Sequence, residues 1–195
     1  MHLSLFRAAI AAAILATSAA AQDLQVYNFD SPRHASNMVL FGANVAAGMT
    51  IVHGQPQWKK EYDGMQDMLK GKTHRLGKDL WTTFMTSAPV ELGGVKVAPG
   101  CYCVGLHCDK AGEFALAMMD ATTAMKKSLM PFGPQNWKPE VVVPLKFEKG
   151  ANKKLAEKMV IRLIGDKDDK MKGLIRLSWG NHYLSAPVKV HAPNK

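Results

Sequence analysis

The chain has 195 residues, of which 47% are hydrophobic, 21% charged and 8% aromatic, enough apolar material for a globular core and not the make-up of a disordered or collagen-like chain. No apolar run reaches the roughly 18 residues of a bilayer span, and three cysteines are too few for a disulfide-stapled fold. Lys and Arg total 25 against 16 Asp and Glu, a formal net charge of +9 that favours contact with anionic surfaces.

The amino terminus reads as an export signal. Arg7 supplies positive charge, Ala8–Ala16 is a short apolar stretch, and Ala19-Ala20-Ala21 has the small residues of a cleavage site. Residues 1–21 are therefore expected to be removed, sending the protein to the periplasm or the medium. Residues 22–49 follow as an extended arm and first strand, polar over 22–37, with strand-like material at Met38–Phe41. Met49–His53 is strand-like again, and Pro56 breaks the pattern. From Trp58 to Leu69 the apolar residues 58, 62, 65, 68 and 69 are close to helical spacing, which predicts a short surface helix or long loop.

From residue 79 the pattern is that of strands. Leu80–Thr86 is rich in Thr and aromatics, and Val90–Val97 alternates about Gly93-Gly94, a hairpin signal. Cys101–Cys108 and Glu113–Asp120 form a second hairpin around residues 109–112. Ala121–Ser128 is a small helical piece before a loop holding Pro131, Gly133, Pro134 and Pro139. Further strands are expected at Val141–Glu148, Lys158–Ile164, Leu174–Trp179 and Tyr183–His191. Many short strands without a β-α-β rhythm predict a mainly β fold, an antiparallel sandwich or jelly roll with one or two short helices. No linker divides residues 50–195, which are read as one domain.

Three stretches resemble an exported bacterial domain family of unknown function, the DUF 2911 type. They are Thr50–Pro56; Arg75-Leu-Gly77 continuing through Leu92–Gly100 to Tyr102; and Leu177-Ser-Trp179. Lys78-Asp79 replaces the family's Ala-Asn, Ala98-Pro99-Gly100 is a permuted Pro-Ala-Gly, and Cys101 and Cys103 stand where Thr and Ser are usual. The resemblance implies a secreted, mostly β domain and brings no activity with it.

Cys101-Tyr-Cys-Val-Gly-Leu-His-Cys108 is the stretch richest in chemistry. On a strand, Cys101, Cys103, Gly105 and His107 share one face. With residues 109–112 as the loop, Met118 stands opposite Cys103, Asp120 opposite Cys101 and Phe114 opposite His107. Thiolates and a thioether select soft ions such as Cu(I), so Cys101, Cys103 and Met118 form a candidate copper site. His107 is about 20 Å from Cys101 along the strand, outside that site. The alternative is plain core packing, which Met and free Cys do well. Cys101 and Cys103 are poorly placed for an intramolecular bridge.

A second candidate is the loop of His74, Arg75 and Asp79, whose Arg fork suits an acidic or sugar-like ligand. Trp58 and Trp137, beside Lys and Pro in loops, are candidate exposed stacking residues. No serine lies in a Gly-x-Ser-x-Gly elbow, and no phosphate-cradling glycine loop is present. The reading is of an exported, non-catalytic domain that binds a ligand or partner, with no cofactor and an anionic envelope polymer or saccharide as the expected partner. Export makes nucleic acid an unexpected partner. The alternatives are a soft-metal or redox protein and, more weakly, an unrecognised hydrolase.

Overall fold

Inward-facing positions alternate with outward ones through nearly every extended segment, and this alternation sets the fold. The computed structural model describes residues 31–42, 45–131 and 138–191. The strands are β1 (Arg33–Gly42), β2 (Val45–Gly54), β3 (Lys72–Arg75), β4 (Thr82–Thr86), β5 (Val90–Leu92), β6 (Val95–Val97), β7 (Gly100–Cys108), β8 (Phe114–Asp120), β9 (Val141–Glu148), β10 (Ala156–Gly165), β11 (Lys172–Gly180) and β12 (His182–Val190). A 3₁₀ turn at Lys60–Gly64 runs into α1 (Met65–Leu69), and α2 (Ala121–Lys126) follows β8. Asp120 caps α2, accepting the Thr123 N–H at 3.0 Å.

The protein is mainly β, with antiparallel pairing throughout and two short α-helices among the described residues. One sheet runs β1-β2-β4-β7-β8-β9-β12-β11-β10. β3 pairs with the far half of β7, and the β5–β6 hairpin pairs with the end of β12. Gly93 and Gly94 turn that hairpin at φ +56° and +84°, the left-handed conformations a two-residue turn needs.

The sheet curls until β10 approaches β1 and β2, and the nearly closed seam has an unusual make-up. Just past β2, the Trp58 N–H donates to the Glu157 carbonyl at 2.6 Å, and the Met159 N–H to the Pro56 carbonyl at 3.1 Å. Further along, side chains replace the ladder. His53 Nε2 accepts the Ile161 N–H at 3.2 Å, and Ser36 Oγ accepts the Leu163 N–H at 2.9 Å. Edge groups that would otherwise face solvent unpaired are thereby satisfied.

Met49, Ile51, Phe84, Val104, Leu106, Phe114, Met118, Ile161 and Leu184 fill the interior. Burying each such side chain contributes about 1.5–3 kcal/mol. A smaller cluster lies on the opposite, outer face, where α2 covers Cys103, Ala117 and Met119 with Ala124, flanked by Trp81 and Leu129.

Two expectations are corrected. The polar arm is strand from Arg33 onward, paired with β2 from Arg33↔Gly54 to Gly42↔Val45. Its inward positions carry His34 and Ser36, so the apolar signal is missing, although the alternation is present. Residues 72–75, given no structure in the sequence reading, form β3. The signal segment, residues 1–21, lies outside the described residues.

Candidate functional site

A gap in the wall creates a cavity. β2 pairs with β4 only from Met49↔Thr86 to Val52↔Thr83, and the chain then turns towards β10. β3 stays with β7. Gly54 and Gly77 mark the parting. A Cβ on Gly54 would overlap the Lys78 carbonyl, and one on Gly77 (φ +87°) would lie 2.9 Å from the Gly54 oxygen. The loop over residues 76–81 is fastened from both sides. Thr82 Oγ1 donates to the Leu76 carbonyl at 2.5 Å. The Arg33 guanidinium donates to the carbonyls of Lys78, Leu80 and Trp81.

The segment 58–69 lies across the gap and leaves beneath it a cavity of about 340 Å³. Pro56 and Met159 line one side and His74–Gly77 with Leu106 the other. Tyr62, Met65, Met68 and Leu69 come from the covering segment, with Trp179 alongside. An aromatic box holds the cover down. Trp58 meets Trp179 edge-on at 5.2 Å and Tyr62 at 5.9 Å, while Tyr62 and Trp179 lie 4.6 Å apart. Trp179 Nε1 donates to the Pro56 carbonyl at 3.1 Å. His182 joins the box, its Nδ1 accepting the Gly150 N–H at 3.2 Å.

The three residues of the expected binding loop part company. His74 pairs with Leu106 across β3–β7 and so faces the cavity. Its Nε2 is buried, with no hydrogen-bond partner among the described residues. Burial, helped by the charge of Lys72, holds the imidazole below its usual pKa, which keeps it neutral. Arg75, opposite Gly105, shares its strand face with Thr73 and His107, whose side chains share a 2.9 Å hydrogen bond, although it also borders the cavity. Asp79, at φ +63°, is beside Arg33 and supports its charge against burial. Trp58 belongs to the box, and Trp137 lies outside the described residues.

Met118 is not beside Cys103. The register pairs Cys103 with Met119 and Val104 with Met118. The cause is the turn. Asp109 N–H donates to the Glu113 carbonyl at 2.9 Å and Glu113 N–H to Asp109 Oδ1 at 2.8 Å, with Gly112 at φ +98°. The loop therefore spans 109–113, one residue more than expected, and Met118 turns into the core. On the outer face Met119 takes its place, and Met85 stands opposite Cys101. Met85 and the partly exposed Cys101 border a shallow depression with Thr50 and Ser87. Cys103 is 5% exposed, and burial pushes its thiol up to about 11. All three cysteines are free thiols.

Leu106, Met159 and Trp179 carry no mark of a cavity in the sequence, because β7 is far in the chain from the paired strands β10 and β11 that supply the other two. Tyr62, Met65, Met68 and Leu69 were visible as the helical spacing of 58–69. No helix among the described residues is long and apolar enough to cross a membrane. No family model matches the chain, and neither does any curated protein or solved structure.

Proposed function

We propose that this protein is a non-catalytic binder of a small, mostly apolar ligand, acting outside the cytoplasm once residues 1–21 are removed. The ligand would lie under the segment 58–69, its apolar body against Met65, Leu106, Met159 and Trp179, with one polar atom on His74. The carrying observation is His74, which lines an otherwise largely apolar cavity and whose buried Nε2 has no partner among the described residues. Buried polar groups normally have a partner, and ligand sites are typically apolar concavities with a few placed polar groups. A neutral imidazole can donate or accept, so an alcohol, carbonyl or amine would satisfy it.

The neutral fluorophore N-phenylnaphthylamine tests this reading. Saturable enhancement is expected with the natural chain, and its loss is expected in Met65→Trp, which fills the cavity from its cover. Equal binding by both proteins would refute the reading.

A second reading rests on the outer face, where Met85 opposite Cys101 and Met119 opposite Cys103 put two thiols and two thioethers on one patch. Such donors select Cu(I). Binding there would have to displace a proton from the desolvated Cys103 thiol. Competition for Cu(I) against bathocuproine, weakened in Cys101→Ser and Met85→Leu, is the expected result. Failure of the natural chain to compete would end this reading.

A further inference from the structure

The outer face of β9–β12 carries an arrangement of charge that folding stability opposes. Arg162 on β10, Arg176 on β11, Ser185 on β12 and Lys146 on β9 stand opposite one another in a single row across four adjacent strands. Three of the four are cations, and like charges directly opposite are destabilising. The row cannot turn inward, because the neighbours of the two arginines, Ile161, Leu163, Ile175 and Leu177, occupy the core side.

Lys146 has an acid, Glu148 Oε1 at 2.6 Å. Neither arginine has an ion pair among the described residues. Arg162 is exposed. Arg176 is held by its guanidinium over the Tyr183 ring, 5.0 Å from the centroid, and Tyr183 is itself fixed by donating to Asn152 Oδ1 at 2.8 Å. This contact uses the π-face of the ring and orients Arg176 beside Arg162. Ser185, 9% exposed, is the floor between Arg176 and Lys146. Ser178 and Tyr183 add hydroxyls in the next row, which ends on β9 in Glu148, the acid already paired with Lys146.

We propose that this face binds a chain of acidic sugars. The Arg162–Arg176 pair takes one carboxylate or sulfate through the two planar forks. Lys146 lies two strand spacings from Arg176, about 10 Å, a span of two pyranose rings, and so meets the next acidic group. The hydroxyls of Ser178, Tyr183 and Ser185 face the sugar ring edges. A lipid surface fits less well: of the large apolar side chains that stand exposed among the described residues, Val142 alone is on this face, four residues from Lys146 on β9, and none is on β10, β11 or β12. The site is on the outside of the sheet and is independent of the cavity.

The test is binding of the full chain to polygalacturonate at about 0.15 M salt, with neutral dextran and phosphatidylglycerol vesicles as the other probes. R162Q/R176Q is compared with a charge-matched control, K96Q/K110Q, on β6 and in the loop after β7. Saturable binding to polygalacturonate is expected. It should weaken about tenfold or more in R162Q/R176Q, which loses two charge-assisted hydrogen-bonding groups, and less than about twofold in the control. Melting of R162Q/R176Q should occur at the same temperature as the natural chain or higher, because a like-charge pair is relieved. No binding to polygalacturonate, equal weakening in both double variants, or binding to the vesicles alone would each overturn the proposal.

Discussion

His53 offers a quantitative probe of the seam. It is fully buried on β2, its Nε2 accepts the Ile161 N–H at 3.2 Å, and its Nδ1 has no partner among the described residues. Burial first, and then the charge of neighbouring His34, pushes its pKa down from 6.5 to about 4. In the unfolded chain the imidazole takes up a proton near 6.5, whereas in the folded protein it resists until about 4. Between those values the unfolded state holds more protons, so stability falls as pH falls, and it levels off below about 4. At 1.36 kcal/mol per pKa unit the loss is roughly 3 kcal/mol. His53→Gln keeps an acceptor for Ile161 and removes the titration. Urea unfolding of both proteins from about pH 7.5 to about pH 4.5 should show a shallower dependence in the variant, by close to one proton. Burial also lowers the pKa values of His74 and His182, so both proteins share their contribution and the difference isolates His53. Identical pH dependence in the two would refute the account of the seam.

Two substitutions probe the scaffold around the cavity. Gly180 sits at φ +60° under Trp58, and a Cβ there would run into the indole. Gly180→Ala should cost about 1–3 kcal/mol through strain and overpacking and should change the near-ultraviolet circular dichroism of the aromatic box. Arg33→Gln removes the donor that gathers the Lys78, Leu80 and Trp81 carbonyls. It should cost about 1–3 kcal/mol and should speed amide exchange across residues 76–81, leaving β9–β12 unchanged.

The hairpins were legible because their turn chemistry is local. Gly93-Gly94 needs left-handed φ, and alternating residues flank it. β1 was legible only from Met38, because the inward places before it hold His34 and Ser36. Ser36 and, on β2, His53 are polar because they replace ladder hydrogen bonds across the seam to β10, a role with no signature in a single strand. The β7–β8 register slipped by one residue because Asp109 lengthens the turn to Glu113. That single residue exchanged Met118 for Met119 beside Cys103, since side chains alternate faces with period two. His74 stands out in the sequence beside Arg75 and Asp79, but the fold gives it other neighbours. A four-residue polar strand such as β3 does not announce itself, and its pairing with β7 alone sends His74 inward and Arg75 outward. The cavity itself depends on where β2 leaves β4, a long-range event marked in the sequence only by Gly54 and Gly77.

A crystal structure of the protein with N-phenylnaphthylamine is the most direct test of the cavity. The rings should lie between Leu106 and Met159 under the 60–69 segment, with the amine nitrogen within hydrogen-bond distance of His74 Nε2. A probe seated anywhere else, with the side chains of Met65 and Leu69 collapsed onto His74, would contradict it.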